Sequence, residues 1–403
     1  MKYALLLSLL FTWAAGALHA NPRRDFATQY RPERRILVDT RREGDSVRVY
    51  LKFANPSDQT SVRSGQPLHV LIWPSVDAKR PLRQLVIEPM RIKRFSVTTV
   101  AFLLPVSYLR AGWDMSVGIS TAENAASGDA AWLHLTPESL TRPFILIDTV
   151  SQPLMRRYVH AQEVFCIGTY SLEQTLMTVY RYPLSSVAAA PPMAASSTQG
   201  IPSRILRLQD SAVFQTNLGM KLPAGLFLLR VGGSPVRSGL LVEDNQFPEL
   251  TTADELIAPL IYLTTSQERQ KLFDAPDPKK AVDQFWLTVA ANSQPIARQL
   301  IRTYYGRVAE ASQLFSAHKA GWLTDRGLLY LVLGPPESVY REAGIERWVY
   351  RADVERSGTF IFRAKPSTFA PDNYELVRRP EYEQLWYAAV EQWRKGRTAR
   401  PGR

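Results

Sequence analysis

The spacing of apolar side chains changes near Thr252, and this change limits the folds open to the chain. Before Thr252 apolar and polar residues alternate, which is typical of half-buried β-strands, and after it apolar residues recur at helical spacing. The sequence therefore predicts a multidomain β plus α+β protein. Two N-terminal antiparallel β-sandwich (Ig-like) domains are followed by an α+β domain.

The first sandwich is predicted at residues 36–140. Its candidate strands are separated by turns that carry Pro, Gly and Asp at the spacing of an antiparallel sandwich. They are Val47–Phe53, Leu68–Trp73, Gln84–Glu88, Phe95–Leu104, Trp113–Ile119 and Ala131–Leu135.

The second sandwich is predicted at residues 141–250. Between its halves, residues 185–203 are rich in Ala, Pro, Ser and Gly and lack apolar periodicity, so we expect a mobile loop and interpret it as a passive insertion. The candidate strands are Phe144–Asp148, Glu163–Thr169, Leu176–Tyr182, Arg204–Gln209, Gly225–Val231 and Gly239–Glu243.

The α+β domain is predicted at residues 251–396. Asp277 and Pro278 make a good cap and first turn for one helix, and a second apolar stripe begins near Ser293. The continuous apolar run Leu328–Leu333 predicts a central strand. Three further strands and a last helix complete the domain: Glu346–Arg351, Thr359–Arg363, Tyr374–Arg378 and Glu381–Arg394.

Both ends of the chain are basic, and the formal net charge is +12. Residues 1–20 have the pattern of a secretory signal peptide, so we expect a periplasmic or extracellular protein with no transmembrane segment after cleavage. Residues 21–35 predict a basic extended arm, solvated beside the first domain, and residues 397–403 a basic tail. Cys166 is the only cysteine, which excludes an intrachain disulfide, and we expect a buried thiol.

The stretch from Gly321 to Gly327 (Gly-Trp-Leu-Thr-Asp-Arg-Gly) lies between the helical pattern and the apolar run. Its residue types suit a buried structural corner. Gly321 suits a left-handed helix cap, Trp322 can pack under the loop, and Gly327 can take a positive φ. Thr324 or Asp325 can accept backbone N–H groups.

The same stretch also suggests a binding site. Arg326 is expected to pair with a carboxylate such as Glu337 or Glu346. In the functional interpretation Asp325 and Arg326 line a pocket for a sugar or a peptide, with Trp322 as a stacking platform. Trp322, Asp325, Arg326 and Glu346 are therefore candidate ligand-binding residues.

Several segments around this stretch follow one another in a recognisable order. They are Phe285-Trp286, Tyr304–Val308, Gly321–Asp325, Arg326-Gly327, Gly334–Pro336 and Glu346–Tyr350. Over about residues 255–395 this pattern resembles the GWxTD domain of exported proteins from Bacteroidetes and related bacteria. The resemblance implies an exported protein whose domain has no established biochemical role, and it supplies no catalytic residues. Gly321, Thr324, Gly327 and Trp348 are expected to be structural residues of the motif.

Signatures of catalysis do not occur in the sequence. We find no nucleophile elbow, no His-Glu-x-x-His, no phosphate-binding loop and no dinucleotide fingerprint. His69, His134, His160 and His318 never fall at metal-ligand spacing. The sequence therefore predicts no catalytic residue, no metal site and no cofactor. A glycosidase pair of carboxylates has no sequence signature, so the enzyme alternative stays open. Because the arginines are not interleaved with aromatics along one element, nucleic acid is not expected as a partner.

The leading hypothesis is a non-enzymatic exported envelope protein, a binding or assembly module built on a GWxTD domain, with an envelope protein or glycan as its partner. The alternative is an envelope hydrolase or carbohydrate-processing enzyme with its site around the Gly321–Gly327 loop. A deep cleft with water access would favour the enzyme, and a solid packed corner would favour the binding module. The oligomeric state stays open.

Overall fold

The computed structural model describes most of the chain after the predicted signal peptide. The described residues are 24–54, 60, 62, 65–171, 173–194, 206–351 and 357–398. The predicted signal peptide, residues 195–203 of the predicted mobile loop and residues 399–403 of the predicted tail lie outside them.

The first β unit consists of two four-stranded antiparallel sheets, with strand orders β1-β2-β6-β5 and β4-β3-β7-β8. Val49 and Phe102 of one sheet share an apolar core with Val70 and Val117 of the other. The predicted strands are confirmed within a few residues, although the strand predicted from Phe95 begins only at Thr99. Strands β1 and β5 were not predicted. The elements are β1 (Ile36–Glu43), β2 (Ser46–Phe53), β3 (Leu68–Trp73), β4 (Arg83–Ile87), β5 (Lys93–Arg94), β6 (Thr99–Pro105), β7 (Asp114–Ile119), α1 (Ala122–Ala126), β8 (Ala131–His134) and α2 (Pro137–Thr141).

The second β unit contains a five-stranded sheet of order β10-β15-β14-β12-β13 and a two-stranded ladder of β9 and β11. The sheet is mixed and not purely antiparallel as predicted, because β10, a strand that was not predicted, runs parallel to β15. Phe144 of the ladder and Leu229 of the sheet belong to one core, and Cys166 is a buried free thiol. The strands are β9 (Phe144–Ile147), β10 (Tyr158–His160), β11 (Cys166–Thr169), β12 (Leu176–Tyr182), β13 (Asp210–Gln215), β14 (Gly225–Val231) and β15 (Arg237–Glu243).

The strand predicted at Arg204–Gln209 is wrong in its described part, residues 206–209, since the strand that forms is β13. Thr216 N–H donates to Thr175 O at 2.9 Å, and this contact sets the antiparallel register of the ladder that follows. In that register Asp210 lies opposite Arg181, near the end of β12. Gln209 N–H still donates to Arg181 O at 2.9 Å, whereas Leu206 and Leu208 lie beyond the end of β12.

The C-terminal region, residues 252–398, is α+β. Its antiparallel sheet has the order β16-β17-β18-β19, and helices pack on it around one apolar core. Asp277 caps its predicted helix, and its side chain accepts from Lys280 N–H. The elements are α3 (Ala253–Ile257), α4 (Ser266–Phe273), α5 (Pro278–Val289), α6 (Gln294–Phe315), α7 (Asp325–Leu333), β16 (Ser338–Glu342), β17 (Ile345–Arg351), β18 (Ser357–Ala364), β19 (Tyr374–Leu376) and α8 (Glu383–Arg394).

The strand predicted at Leu328–Leu333 is wrong, because these residues form helix α7. Thr324 caps the helix and Gly334 ends it. All six residues of the run are buried, so the helix shows no polar face. An all-apolar run of this length has no periodicity that separates a buried helix from a buried strand.

The basic arm predicted at residues 21–35 is not a solvated extended segment in its described part. Ala27–Tyr30 forms a 3₁₀ helix, and Phe26 and Tyr30 are buried. Phe26 N–H donates to Val339 O at 2.8 Å, and the Tyr30 ring lies 4.9 Å from the Trp348 ring. The two aromatic residues fix the segment on the C-terminal sheet despite its many arginines.

In the described ranges, none of the helices combines the length and apolar character that a bilayer crossing requires.

Candidate functional site

The corner, Gly321–Gly327, joins the end of α6 to the start of α7. A 3₁₀ turn covers Gly321–Leu323, and Thr324 follows as the cap of α7. Thr324 Oγ1 accepts from Gly327 N–H at 3.1 Å and donates to Gly321 O at 2.7 Å. One hydroxyl therefore closes the corner on both sides, as the sequence predicted for Thr324.

The two glycines are needed for close packing. Neither has a positive φ, so the left-handed cap predicted for Gly321 and the positive φ predicted for Gly327 are wrong. A Cβ at Gly321 would lie 2.1 Å from Ala311 O, and a Cβ at Gly327 would lie 2.0 Å from Gly321 O. The backbones of α6, the 3₁₀ turn and α7 approach so closely that only hydrogen fits between them.

Asp325 is the buried carboxylate of the corner. Its Oδ2 accepts from Leu376 N–H at 2.7 Å, and its Oδ1 accepts from Arg378 Nη2 at 2.6 Å. The side chains of Asp325 and Arg378 are only 9% and 12% exposed. The pair joins the start of α7 to β19, and the carboxylate oxygens face these partners and not a cleft.

Arg326 points to different partners from Asp325. It donates to Asp372 O at 2.7 Å, and its guanidinium lies 5.2 Å from the Phe315 ring centre and 5.0 Å from that of Tyr374. The expected ion pairs of Arg326 with Glu337 or Glu346 do not form: Glu337 pairs with Arg351 and Glu346 with Arg341.

Glu346 lies in the core, with 1% of its surface exposed. It accepts from Tyr30 Oη at 2.5 Å, from Arg341 Nε at 2.9 Å and from Trp348 Nε1 at 2.7 Å. Burial opposes ionisation, but the Arg341 and Arg326 guanidiniums and these hydrogen bonds hold the pKa of Glu346 below its ordinary value. Glu346 is therefore an ionised structural carboxylate that anchors the N-terminal segment.

An extended segment covers the corner at Trp322 and Leu323. Ala189 N–H donates to Leu323 O at 3.0 Å, and Arg378 Nη2 donates to Ala190 O at 3.2 Å. We call residues 187–192 the strap. They belong to the predicted mobile loop, so the passive insertion expected there is wrong for this part.

Two further main-chain oxygens of the strap are held by the C-terminal region. Lys319 Nζ donates to Val187 O at 3.0 Å, and Arg379 N–H donates to Pro192 O at 3.1 Å. Ala189 and Pro192 are buried. The strap thus contacts the region much as a bound extended peptide would, through its main chain and small side chains.

Charges also meet where the N-terminal segment, the second β unit and the C-terminal region come together. Arg157 of the second β unit forms an ion pair with Asp372, beside the contact of Arg326 with the same residue. Burial and repulsion from Arg157 and Arg326 lower the pKa of Arg35 to about 9. All three guanidiniums lower the pKa of the Asp372 carboxyl, so Asp372 is the acidic group around which this junction is built.

The four candidate ligand-binding residues do not line one pocket. Asp325 binds Arg378, Arg326 binds Asp372 and Glu346 binds Arg341, while Trp322 faces Tyr262, whose hydroxyl donates to Trp322 O at 3.2 Å. Two surface cavities of about 240 Å³ and 330 Å³ lie elsewhere, one between α6 and residues 396–398 and one beside β13. Within the described ranges, no three His, Cys, Asp or Glu side chains are placed to share a metal ion.

Several partners of these residues had no signal in the sequence. Arg378 lies far along the chain from Asp325, and Tyr30 lies in a segment that the arginines marked as solvated. An isolated Arg or Tyr has no periodicity or spacing that identifies its partner, so only the folded chain reveals these contacts.

Comparison with known families agrees with the motif. Residues 225–395 match the family model of the GWxTD domain, and the search of curated proteins found no match. The matched region begins earlier than the predicted residue 255 and includes β14 and β15. Strand β15 packs closely on the C-terminal region, because a Cβ at Gly239 would lie 2.6 Å from Phe369 Cα. The part of the chain that matches the GWxTD domain therefore includes two strands of the second β unit.

Proposed function

We propose that this chain is a non-enzymatic exported envelope protein of the Bacteroidetes type, whose GWxTD domain acts as a binding or assembly module that holds an extended peptide segment. The observation that carries the proposal is the strap. The domain holds residues 187–192 mainly through their main-chain groups. Recognition through main-chain groups suits extended segments with small side chains.

Asp325 of the corner and Glu346 of β17 support a binding role over hydrolysis. A glycosidase needs a carboxylic acid with a raised pKa near the bond that it cleaves. The pKa of Glu346 is lowered, and Asp325 is engaged by Arg378 and Leu376 N–H. Neither group is available as a general acid in this arrangement.

The two β units and the predicted signal peptide also have roles in this function. The two β units serve as Ig-like spacers or adhesive modules that carry the GWxTD domain, and the envelope is the compartment in which the partner lies. Mass measurement of the protein recovered from the envelope fraction of its host tests the location: the expected product has lost its N-terminal signal by cleavage after Ala20 or after Ala17. Recovery of the full-length chain from the cytoplasm alone would contradict export.

The peptide-binding role is tested with a chain in which residues 187–192 are replaced by Gly and Ser. A synthetic peptide of residues 185–194 is titrated against this variant and against the wild type by calorimetry. We expect the peptide to bind the variant and not the wild type, because the tethered strap competes at an effective concentration of about millimolar.

The peptide itself provides matched controls. An Ala189→Pro peptide lacks the N–H that donates to Leu323 O and should not bind, whereas a Ser186→Pro peptide, altered at an exposed position, should bind like the parent. Absence of binding to a folded variant, or equal binding of all three peptides, would contradict the proposal.

A further inference from the structure

Strand β13 (Asp210–Gln215) is an exposed edge of the five-stranded sheet. It is the last strand in the order β10-β15-β14-β12-β13, and five of its six residues are exposed. In the described part of the chain β13 pairs only with β12. No described strand therefore covers the outer side of β13, which we call the open edge.

The ladder shows which backbone groups are open. Thr216 N–H donates to Thr175 O, and Gly232 N–H donates to Leu176 O on the other side of β12. Because hydrogen-bonded pairs alternate along an antiparallel ladder, the N–H and C=O groups of Ser211, Val213 and Gln215 point to the open edge. The N–H of Ser211 donates there to Asp210 Oδ1 at 2.7 Å, so this exposed local bond has to open before Ser211 can pair with another strand.

The other sheet edges carry features that discourage pairing. Among the strands described, those at sheet edges are either short, with two to four residues, or contain arginine, as in β1, β4 and β16. Charged side chains and short length are the usual protections of an edge. β13 has six residues and no Lys, Arg or Pro, so it is the long edge without such protection.

The two ends of β13 are complementary to each other. Leu206 and Leu208 precede the strand, and Leu208 is 51% exposed. At the other end an apolar cavity of about 330 Å³ is lined by residues that include Val213, Leu218 and Met220. Antiparallel pairing of two identical strands brings the leucines of each copy to the cavity of the other, so the same contact forms at both ends of the paired strands.

The charges near the strand also permit this pairing. Arg207 lies at the N-terminal end, and Glu173 lies at the C-terminal end, where its main-chain oxygen accepts from Asn217 Nδ2 at 3.1 Å. An antiparallel pair places Arg207 of one copy at the end that carries Glu173 of the other. Asp210 is the only charged residue of the strand, and in this pairing it does not face its own copy.

We propose that two copies of the chain associate through β13, which pairs with itself about a two-fold axis at Val213 to form a continuous ten-stranded sheet. The open backbone groups determine the register: Val213 lies opposite Val213, and Ser211 opposite Gln215. The inference goes beyond the proposed function and does not depend on the corner or the strap.

Sedimentation of the mature chain from about 1 to about 100 μM tests the proposal. We expect a monomer–dimer equilibrium for the wild type. Val213→Pro removes an N–H that β12 does not use, and Val213→Lys places two like charges opposite each other, so each should raise the dissociation constant by about tenfold or more. Met90→Lys, at an exposed apolar residue of the first β unit, is the control and should leave it unchanged.

Mixing two variants tests the register. Val213→Lys and Val213→Asp should each be monomeric alone and should dimerise when mixed, because opposite charges then face each other at the axis. A wild type that is monomeric at every concentration overturns the proposal. The partner of the edge would then be an extended segment of another protein. A dimer that survives Val213→Pro and Val213→Lys, or a mixture that fails to dimerise, also overturns it.

Discussion

The corner and the β13 edge use their backbone groups in opposite ways. At the corner, Gly321 O accepts from Thr324 Oγ1 and Leu323 O accepts from Ala189 N–H. At β13, alternate N–H and C=O groups point away from the sheet. The corner has a distinctive sequence motif, and its backbone groups form hydrogen bonds within the chain. The edge has no sequence motif, and some of its backbone groups have no partner among the described residues.

The difference shows that a distinctive motif need not mark a binding surface. Glycine, aspartate and arginine in the corner are explained by close packing and by partners on β19 and in the loop before it. A surface for other molecules requires groups that the fold leaves open. Substitutions in the corner should therefore affect folding, and those on the edge should affect association.

Gly321→Ala tests the corner with the largest expected effect. Its Cβ would lie 2.1 Å from Ala311 O, so α6 and the 3₁₀ turn would have to separate. We expect a loss of about 3 kcal/mol or more in the free energy of unfolding, or no folded protein at all. Urea denaturation followed by circular dichroism measures this loss.

Gly306→Ala is the matched control, since no atom lies within 4 Å of the Cβ position at Gly306 in α6. There alanine should stabilise the helix by up to about 1 kcal/mol. Equal stability of the two variants would contradict the close-packing explanation of Gly321.

Asp325→Asn tests the buried ion pair. It leaves the Arg378 guanidinium, only 12% exposed, without an ionised partner, and the expected cost is about 3 kcal/mol in the free energy of unfolding. Glu375→Gln, in an exposed pair with Lys365, should cost about 1 kcal/mol or less. If the folded Asp325→Asn variant kept wild-type stability, the carboxylate would be free for a ligand and the comparison with the edge would fail.

Local patterns predicted most of the fold. Alternation identified most of the strands of the β units, though not β1, β5, β10 or β13, and N-cap residues such as Asp277 identified helix starts, because these signals depend on near neighbours. The prediction failed for α7, where burial on every side removed the periodicity. It also failed for the N-terminal segment and the strap, where a few residues such as Tyr30 and Ala189 fix a stretch of polar or small residues to a distant surface.

The candidate site was predicted in residue type but not in arrangement. Asp325 does accept a backbone N–H and Trp348 is buried, as expected. The partners of Asp325, Arg326 and Glu346 come from distant segments, and successive helical residues point in different directions. Residues that are close in sequence were therefore predicted to share a site, although the fold directs their side chains to different partners.

Acid should destabilise the segment that enters the corner. Burial and Lys319 lower the pKa of His318 to about 4, and its Nδ1 is buried with no hydrogen-bond partner in the described structure. The unfolded chain binds a proton at His318 more readily than the folded chain does. The contribution of neutral His318 to the free energy of unfolding is therefore complete above about pH 6.5 and is lost as the pH falls to about 4. We expect a loss of about 1–3 kcal/mol over this range.

Denaturation of His318→Gln across the same pH range should show a flatter profile than the wild type. His134→Gln is the opposing control, because a hydrogen bond to Asp114 raises the pKa of His134 and its contribution is lost as the pH rises. An unchanged slope in His318→Gln would show that other groups cause the acid sensitivity.

Val213→Lys should have the smallest effect on the folded chain itself. The Val213 side chain is 63% exposed, so the free energy of unfolding of the monomer should change by about 0.5 kcal/mol or less. Association adds a term that depends on concentration, since a dimer stabilises the folded state by mass action. The melting temperature of the wild type should therefore rise with protein concentration, and that of Val213→Lys should not. If the melting temperatures of both proteins rose equally with concentration, the open groups of β13 would not join the copies. If the two melting temperatures differed only at high protein concentration, these groups would act in association and not in folding.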